Sequence, residues 1–232
     1  MIRVVWEHNG DDTLLHAADY PGAYARGASF AEAAAKLPEE VAAWQRWAGK
    51  TDTCTPEIAV VEDVPCTLHV RDADSDVLLS CDKAPLSRAE YEALKALALR
   101  SAADFHALYA SIPDKNATAL PARKTFYGDV PVTAEAMYQH TKSVNDYYFG
   151  EIGVDTDHEG DILACRKRGF MALEAVSDFL CMPPVEGSYG EFWSLRKVLR
   201  RFIWHDRIHA KAMVRMAKKT FGAVEDPFQF GE

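Results

Sequence analysis

Residues 191–213 read EFWSLRKVLRRFIWHDRIHAKAM, and this stretch decides the fold that we predict for the second half of the chain. Its apolar and aromatic residues recur every three or four positions, which is the period of one face of an α-helix. His205 and His209 fall on that apolar face, four residues apart. The pattern therefore predicts a long amphipathic helix that carries two imidazoles on its inner side.

Three segments that precede this helix show the same helical period. The third of these four predicted helices is expected from about Glu159 to Leu180. One long and two moderate connections would join the four helices, as in four-helix bundles. We therefore predict that residues 83–232 form an all-α up-down four-helix bundle. The capping signals at the other three helix starts are Ser87-Arg88-Ala89-Glu90, Thr133 and Ser188-Tyr189-Gly190-Glu191.

Residues 1–82 have a different pattern, in which short β-branched runs alternate with turn residues. Ser29 and Glu32 form a capping box before an Ala-rich helix that Gly49 ends, and Pro38 predicts a kink or a second start inside it. The pattern predicts a small α+β domain that precedes the bundle. The strands expected are Ile2–Trp6, Thr13–Ala17, Glu57–Val61, Cys66–Val70 and Asp76–Ser80, with a loop or tight hairpin over residues 20–27.

Three histidines are candidate metal ligands. His140 lies in the apolar stripe of the second helix of the set, so three imidazoles from two helices can converge on one point. Imidazole suits zinc, nickel, copper or iron, and three protein ligands leave a coordination position open. A core histidine that only forms hydrogen bonds, or an H-x-x-x-H pair on a helix surface, would show the same spacing. The spacing alone leaves these alternatives and a metal site equally open.

Two further residues are candidates for supporting roles, while the pattern assigns no catalytic residue. Glu174 falls near the inner side of the third helix and could orient a ligand histidine, or it could pair with an arginine. Tyr147 borders the predicted site together with Tyr148 and Trp204; these are core aromatics, although a phenol near an open metal position could donate a proton. The five remaining histidines have no partner at ligand spacing and receive no role: His8, His16, His69, His106 and His158.

Residues from about 86 to 222 resemble the DinB-like superfamily of bacterial metal-binding four-helix bundles. The resemblance lies in Thr133–His140, Asn145–Tyr148 and Trp204–His209. It implies that His140, His205 and His209 bind a divalent ion, with zinc or nickel expected. Some members of the superfamily are transferases or isomerases that activate a small thiol such as bacillithiol or mycothiol. The resemblance thus implies a thiol-dependent transferase or hydrolase that uses a metal-activated water or low-molecular-weight thiol.

Residues from about 1 to 50 resemble the HicB-type antitoxin module. The resemblance lies in Asp19–Ala33, a Pro-Gly turn followed by a helix that a Ser-x-x-Glu box opens. In antitoxins this module binds a protein partner. It implies an alternative function for the chain, as a non-catalytic metal-binding regulatory or protein-interaction module.

Composition limits the partners and the location. The chain has 35 acidic and 26 basic residues and a net charge of −9, which argues against a nucleic-acid partner. We interpret the basic residues of 196–219 as a solvated helix face.

The uncharged stretches are too short to span a membrane, and no signal peptide is recognised. Five cysteines without C-x-x-C spacing suggest free thiols in a reducing cytoplasm. A homodimer is the default assembly.

Overall fold

The computed structural model of the protein describes residues 1–50, 55–125 and 128–231. Within these ranges the chain forms a mixed α+β fold with five α-helices, one four-stranded sheet and two small two-stranded sheets. The predicted fold class, a small α+β domain followed by an all-α up-down four-helix bundle, is therefore wrong. Strands occur in both halves of the chain, and the sheet, the first helix and the later helices share one continuous hydrophobic core.

The larger sheet has the strand order β3-β2-β1-β4. Strands β1 (Ile2–Asn9), β2 (Asp12–Ala17) and β3 (Tyr24–Gly27) pair antiparallel in sequence, and β4 (Ile58–Pro65) lies parallel to β1 at the edge. The strands predicted over residues 2–6, 13–17 and 57–61 are confirmed at their centres. The strands predicted over residues 66–70 and 76–80 are wrong, because that segment forms loops and 3-10 turns.

Helix α1 (Phe30–Ala48) follows the sheet's third strand. The Ser29 hydroxyl accepts a hydrogen bond from the backbone N–H of Glu32, and Gly49 ends the helix in the left-handed region at φ 68°. The predicted N-cap at Ser29 and the stop at Gly49 are confirmed, whereas the Glu32 carboxylate accepts a hydrogen bond from the N–H of Ala28 and not from that of Ser29. Pro38 lies inside one continuous helix, so no second helix start occurs there.

Four helices make up most of the second half. The starts predicted at Ser87 and Thr133 are confirmed, because both side chains cap their helices. Asp161 caps the next helix, which ends at Glu174 rather than at Leu180. The bounds are α2 (Arg88–Ser111), α3 (Ala134–Gly150), α4 (Ile162–Glu174) and α5 (Leu195–Phe221). Helices α2 and α3 each contact both α4 and α5.

The capping box predicted at Ser188 is wrong. Tyr189 adopts a left-handed backbone conformation, and the strands β7 (Val185–Glu186) and β8 (Phe192–Trp193) pair around this turn. Ser194 caps α5 instead, through a hydrogen bond from the N–H of Lys197 to its hydroxyl. A second short hairpin, β5 (Lys124–Thr125) and β6 (Gly128–Asp129), lies in the loop between α2 and α3.

Helix α5 packs on the sheet as well as on the other helices, and this explains the error in the fold class. A Cβ on Gly22 would lie 2.5 Å from the Ile203 side chain, so the loop after β2 touches α5 directly. Trp204 packs in a buried cluster with Leu14 and Tyr24 of the sheet. Helical periodicity finds α5, but it does not reveal that two sides of the helix are buried.

The basic residues of α5 are not all solvated, which corrects the interpretation of this run as an outer face. Lys197 is 0% exposed and Arg200 is 8% exposed. The Lys197 ammonium donates to the Glu191 carboxylate at 2.8 Å and to two backbone carbonyls, so its charge is compensated. Burial lowers the pKa of Lys197 to about 8.

In the part of the chain that is described, no helix combines the length and the apolar character that crossing a lipid bilayer requires.

Candidate metal centre

Helices α3 and α5 bring the three predicted histidines together. One ring nitrogen of each of His140, His205 and His209 lies within 4.8 Å of the corresponding atoms of the other two. The ring centroids are 4.5 Å apart between His205 and His209, 4.7 Å between His140 and His209, and 5.1 Å between His140 and His205. The three imidazoles therefore form one compact cluster at the contact between the two helices.

Hydrogen bonds within the core fix the rotation of α5 at this point. Asp206, adjacent to His205, accepts hydrogen bonds from Arg166 of α4 at 3.2 and 3.3 Å and from Ser101 of α2. Asp206 and Arg166 are both completely buried. Because successive helix residues are about 100° apart, this anchor sets the direction of the His205 side chain.

A second set of hydrogen bonds fixes α3. The side-chain amide of Asn145 donates to the carbonyls of Asp157 and Cys165, at 2.7 and 3.3 Å, which ties α3 to the start of α4. Thr133 caps the N-terminus of α3. His140 lies between these two points, and its side chain is exposed on the flank of α3.

The environment keeps the three imidazoles neutral near pH 7. Burial lowers the pKa of His205 well below its usual value, and the nearby His209 and His140 add to the effect. Burial also lowers the pKa of His209 to about 3. The His140 side chain is more exposed, and the part of it that packs against α5 is desolvated, which lowers its pKa as well. A neutral imidazole has a free lone pair on one ring nitrogen, which is the form that binds a metal ion.

The residues present fit a divalent transition-metal ion. The buried Nδ1 of His205 has no hydrogen-bond partner within the described residues, and such a ring nitrogen is costly unless another group satisfies it. The cluster contains nitrogen donors only, which favours zinc, nickel, copper or iron over calcium or magnesium.

Tyr148 and Arg201 border His205. The sequence pattern placed Tyr148 at the border of the site, whereas it gave Arg201 no role. The Tyr148 ring meets the His205 ring edge-on at 6.1 Å between centroids. The Arg201 guanidinium lies 5.6 Å from the Tyr148 ring centroid and 4.8 Å from the Trp204 ring centroid. Arg201 precedes His205 by four residues, a spacing that places both side chains on one side of a helix and could have identified it.

Tyr147 and Glu174 lie elsewhere. The Tyr147 ring packs on Trp193 and lines an open acidic cleft of about 500 Å³. Glu174 accepts hydrogen bonds from the Tyr91 hydroxyl at 2.9 Å and from the Lys95 ammonium. Within the described residues, neither side chain hydrogen-bonds a histidine of the cluster. The structure thus favours an ion-pair role for Glu174, with a lysine in place of the arginine considered above.

No protein-family model, curated protein or solved structure matches this chain. The resemblances to the DinB-like superfamily and to the HicB-type module therefore stay predictions.

Proposed function

We propose that the protein binds one divalent transition-metal ion, zinc or nickel, through His140, His205 and His209, and that it is a metal-dependent enzyme acting with an activated water or small thiol. The observation that carries this proposal is the convergence of three imidazoles within 4.8 Å at the junction of α3 and α5. The lowered pKa values support it, because all three side chains are neutral at physiological pH without a metal ion.

The three histidines and Arg201 would have different roles at such a site. His205 and His209 would hold the ion from the rigid, anchored side of α5, and the exposed His140 would close the site on its solvent side. A bound ion of this kind supplies a Lewis acid that lowers the pKa of a water or thiol in its open coordination position. Arg201 supplies a permanent positive charge one helical turn from His205, which suits an anionic group on the substrate.

The metal-binding part is tested on the full-length protein after chelator treatment and dialysis. Titration with Zn²⁺ and with Ni²⁺ against a chromophoric chelator should show one site per chain. Removing one of three ligands, in His205→Ala or His209→Ala, should weaken binding about 100-fold or more, since even outer partners of ligands contribute 10- to 100-fold.

His158→Gln is the matched control, because His158 is an exposed histidine that pairs with Asp146 away from the cluster. The control should bind metal like the wild type. Equal binding by the wild type and His205→Ala would place the ion elsewhere and refute the proposed site.

The reaction is tested separately on cobalt-loaded protein, whose visible spectrum reports ligands entering the open position. A low-molecular-weight thiol should produce a new absorption band in the spectra of both the wild type and His158→Gln. If neither a thiol nor a small anion changes the spectrum, the ion has no open coordination position. That outcome would refute the enzyme and leave the non-catalytic metal-binding module as the better function.

A further inference from the structure

A second cavity lies between α5 and the end of β2, and no residue of the histidine cluster lines it. Its volume is about 120 Å³, and its walls include His16, Arg196, Arg200 and Trp204. It is enclosed on the other sides by the loop after β2 and by the segment that contains Leu79. Ligand sites are commonly concave and mostly apolar, with a few converging polar groups.

His16 is one of these polar groups, and a buried carboxylate orients it. The ring Nε2 lies 3.1 Å from Oε2 of Glu7, which also accepts a hydrogen bond from the Ser75 hydroxyl at 2.6 Å. Glu7 is completely buried. Burial lowers the pKa of His16, so the ring is neutral. The proton assigned to Nε2 points to Glu7, and Nδ1 is left as an acceptor with no partner within the described residues.

Two guanidinium groups provide donors on the facing wall. Arg200 is held by Asp82, to which its Nε and Nη2 donate at 3.1 and 2.6 Å. Its Nη1 has no acceptor among the residues that the structure describes. Arg196 uses Nη2 to bind Glu90, and its side chain is partly exposed. Both arginines therefore keep donor capacity beside the cavity, on side chains whose positions are fixed.

Asp82 also lines the cavity, with its carboxylate paired to Arg200 at 2.6 Å, and most of the remaining wall is apolar and sets the size of a ligand. Ala17, Pro21, Leu79 and Leu94 contribute aliphatic surface. An apolar cavity of about 150 Å³ holds one benzene molecule of six non-hydrogen atoms, so 120 Å³ encloses about five, and a cavity open to solvent at Cys81 leaves room for a sixth. Cys81 is exposed and also lines the cavity, which places an opening to solvent at this residue.

We propose that this cavity binds a small aliphatic carboxylate, with its carboxylate group at Arg196 and Arg200 and its hydrocarbon part against Leu79 and Leu94. Guanidinium groups match carboxylates in geometry as well as in charge. The proposal concerns a site separate from the histidine cluster, and it holds whether or not the cluster binds metal.

Butyrate and butyramide are the probes, because both have six non-hydrogen atoms and only butyrate carries a charge. Calorimetry or ligand-observed NMR on the full-length protein should give a butyrate Kd on the order of 1 mM, as expected for a ligand of this size. Butyramide should bind at least about tenfold weaker, because it lacks the charge-assisted hydrogen bonds.

Two variants locate the site. Arg196→Gln should weaken butyrate binding about tenfold, and Arg215→Gln is the charge-matched control, since Arg215 is exposed on the same helix. Ala18→Leu places extra volume in the cavity wall and should also reduce binding. Equal butyrate affinity in the wild type and both of these cavity variants would overturn the proposal.

Thiol alkylation gives an independent measurement on the unmodified chain. Saturating butyrate should slow alkylation of Cys81, measured by peptide mass analysis, about tenfold. Cys181 is the internal control, because it is an exposed free thiol that does not line the cavity. Unchanged Cys81 alkylation, or equal slowing at both cysteines, would show that butyrate does not occupy the cavity.

Discussion

Replacement of Asp206 by alanine tests whether the buried ion pair beside His205 holds α5 in place. Asp206 and Arg166 are both 0% exposed, and their charged groups are joined by contacts of 3.2 and 3.3 Å. Asp206→Ala leaves the Arg166 guanidinium buried without its counter-ion, above the Phe202 ring. Breaking a buried pair in this way costs about 3–5 kcal/mol of unfolding free energy.

The expected change in melting temperature follows from this cost. For a chain of this length 1 kcal/mol corresponds to about 2–4 °C, so Asp206→Ala should lower the Tm by about 6–20 °C. Thermal and urea unfolding of chelator-treated protein, followed by circular dichroism, measure it without a contribution from bound metal. Asp157→Ala is the matched control, because Asp157 pairs with Arg168 at the surface, where ion pairs contribute little, and this substitution should leave the Tm nearly unchanged.

A double variant separates loss of the pair from loss of packing. Arg166→Met with Asp206→Leu replaces both charges by apolar groups and should recover most of the stability, since buried pairs are often replaceable in this way. The reasoning is refuted if Asp206→Ala is no less stable than Asp157→Ala, or if the double variant is as unstable as Asp206→Ala.

Two further predictions concern pH and packing. The pKa of His209 is about 3 in the folded chain against 6.5 as its ordinary value, so the unfolded chain binds more protons between these values. The free energy of unfolding of metal-free protein should therefore be constant above about pH 6.5 and decrease as the pH falls towards 3. Urea titrations at a series of pH values measure this, and His209→Gln should show a weaker dependence on pH. Gly169→Ala should lower the free energy of unfolding by about 1–3 kcal/mol, because a Cβ there would lie 2.1 Å from the buried Phe149 ring. Gly150→Ala is the control, because a Cβ there meets no atom within 4 Å, and it should leave the urea midpoint nearly unchanged.

The helices and the histidine cluster could be predicted because their signals are local. Ser87 and Thr133 cap helices through bonds to residues three positions ahead, and these bonds need no tertiary contact. His205 and His209 are neighbours on any helix, and His140 needed only the correct apolar face of a second helix. The same reasoning could not choose between Tyr147 and Tyr148. Adjacent helix residues differ by about 100°, and the structure buries Tyr148 to 2% exposure and leaves Tyr147 at 36%.

The contacts between the halves could not be predicted, because they depend on which elements meet. The strand β3 contains only Tyr24–Gly27 and becomes a strand by pairing with β2. The buried cations of α5 look in sequence like the cations of a solvated helix. Charge alone does not distinguish them, because a buried lysine or arginine is stable wherever the rest of the fold supplies acceptors.

Those acceptors come from the segment over residues 75–82, and this explains why the segment is not the strand that its sequence suggests. Arg201 donates to the carbonyl of Ser75, Lys197 to that of Asp76 at 2.6 Å, and Arg200 to that of Val77 at 3.2 Å. A strand would direct these carbonyls to a neighbouring strand in its ladder. Three cations within five residues of α5 donate to these carbonyls instead and attach the helix to the sheet side of the molecule. Because His205 follows Arg201 by one turn, the bonds that secure this segment also fix the direction in which the histidine pair faces His140.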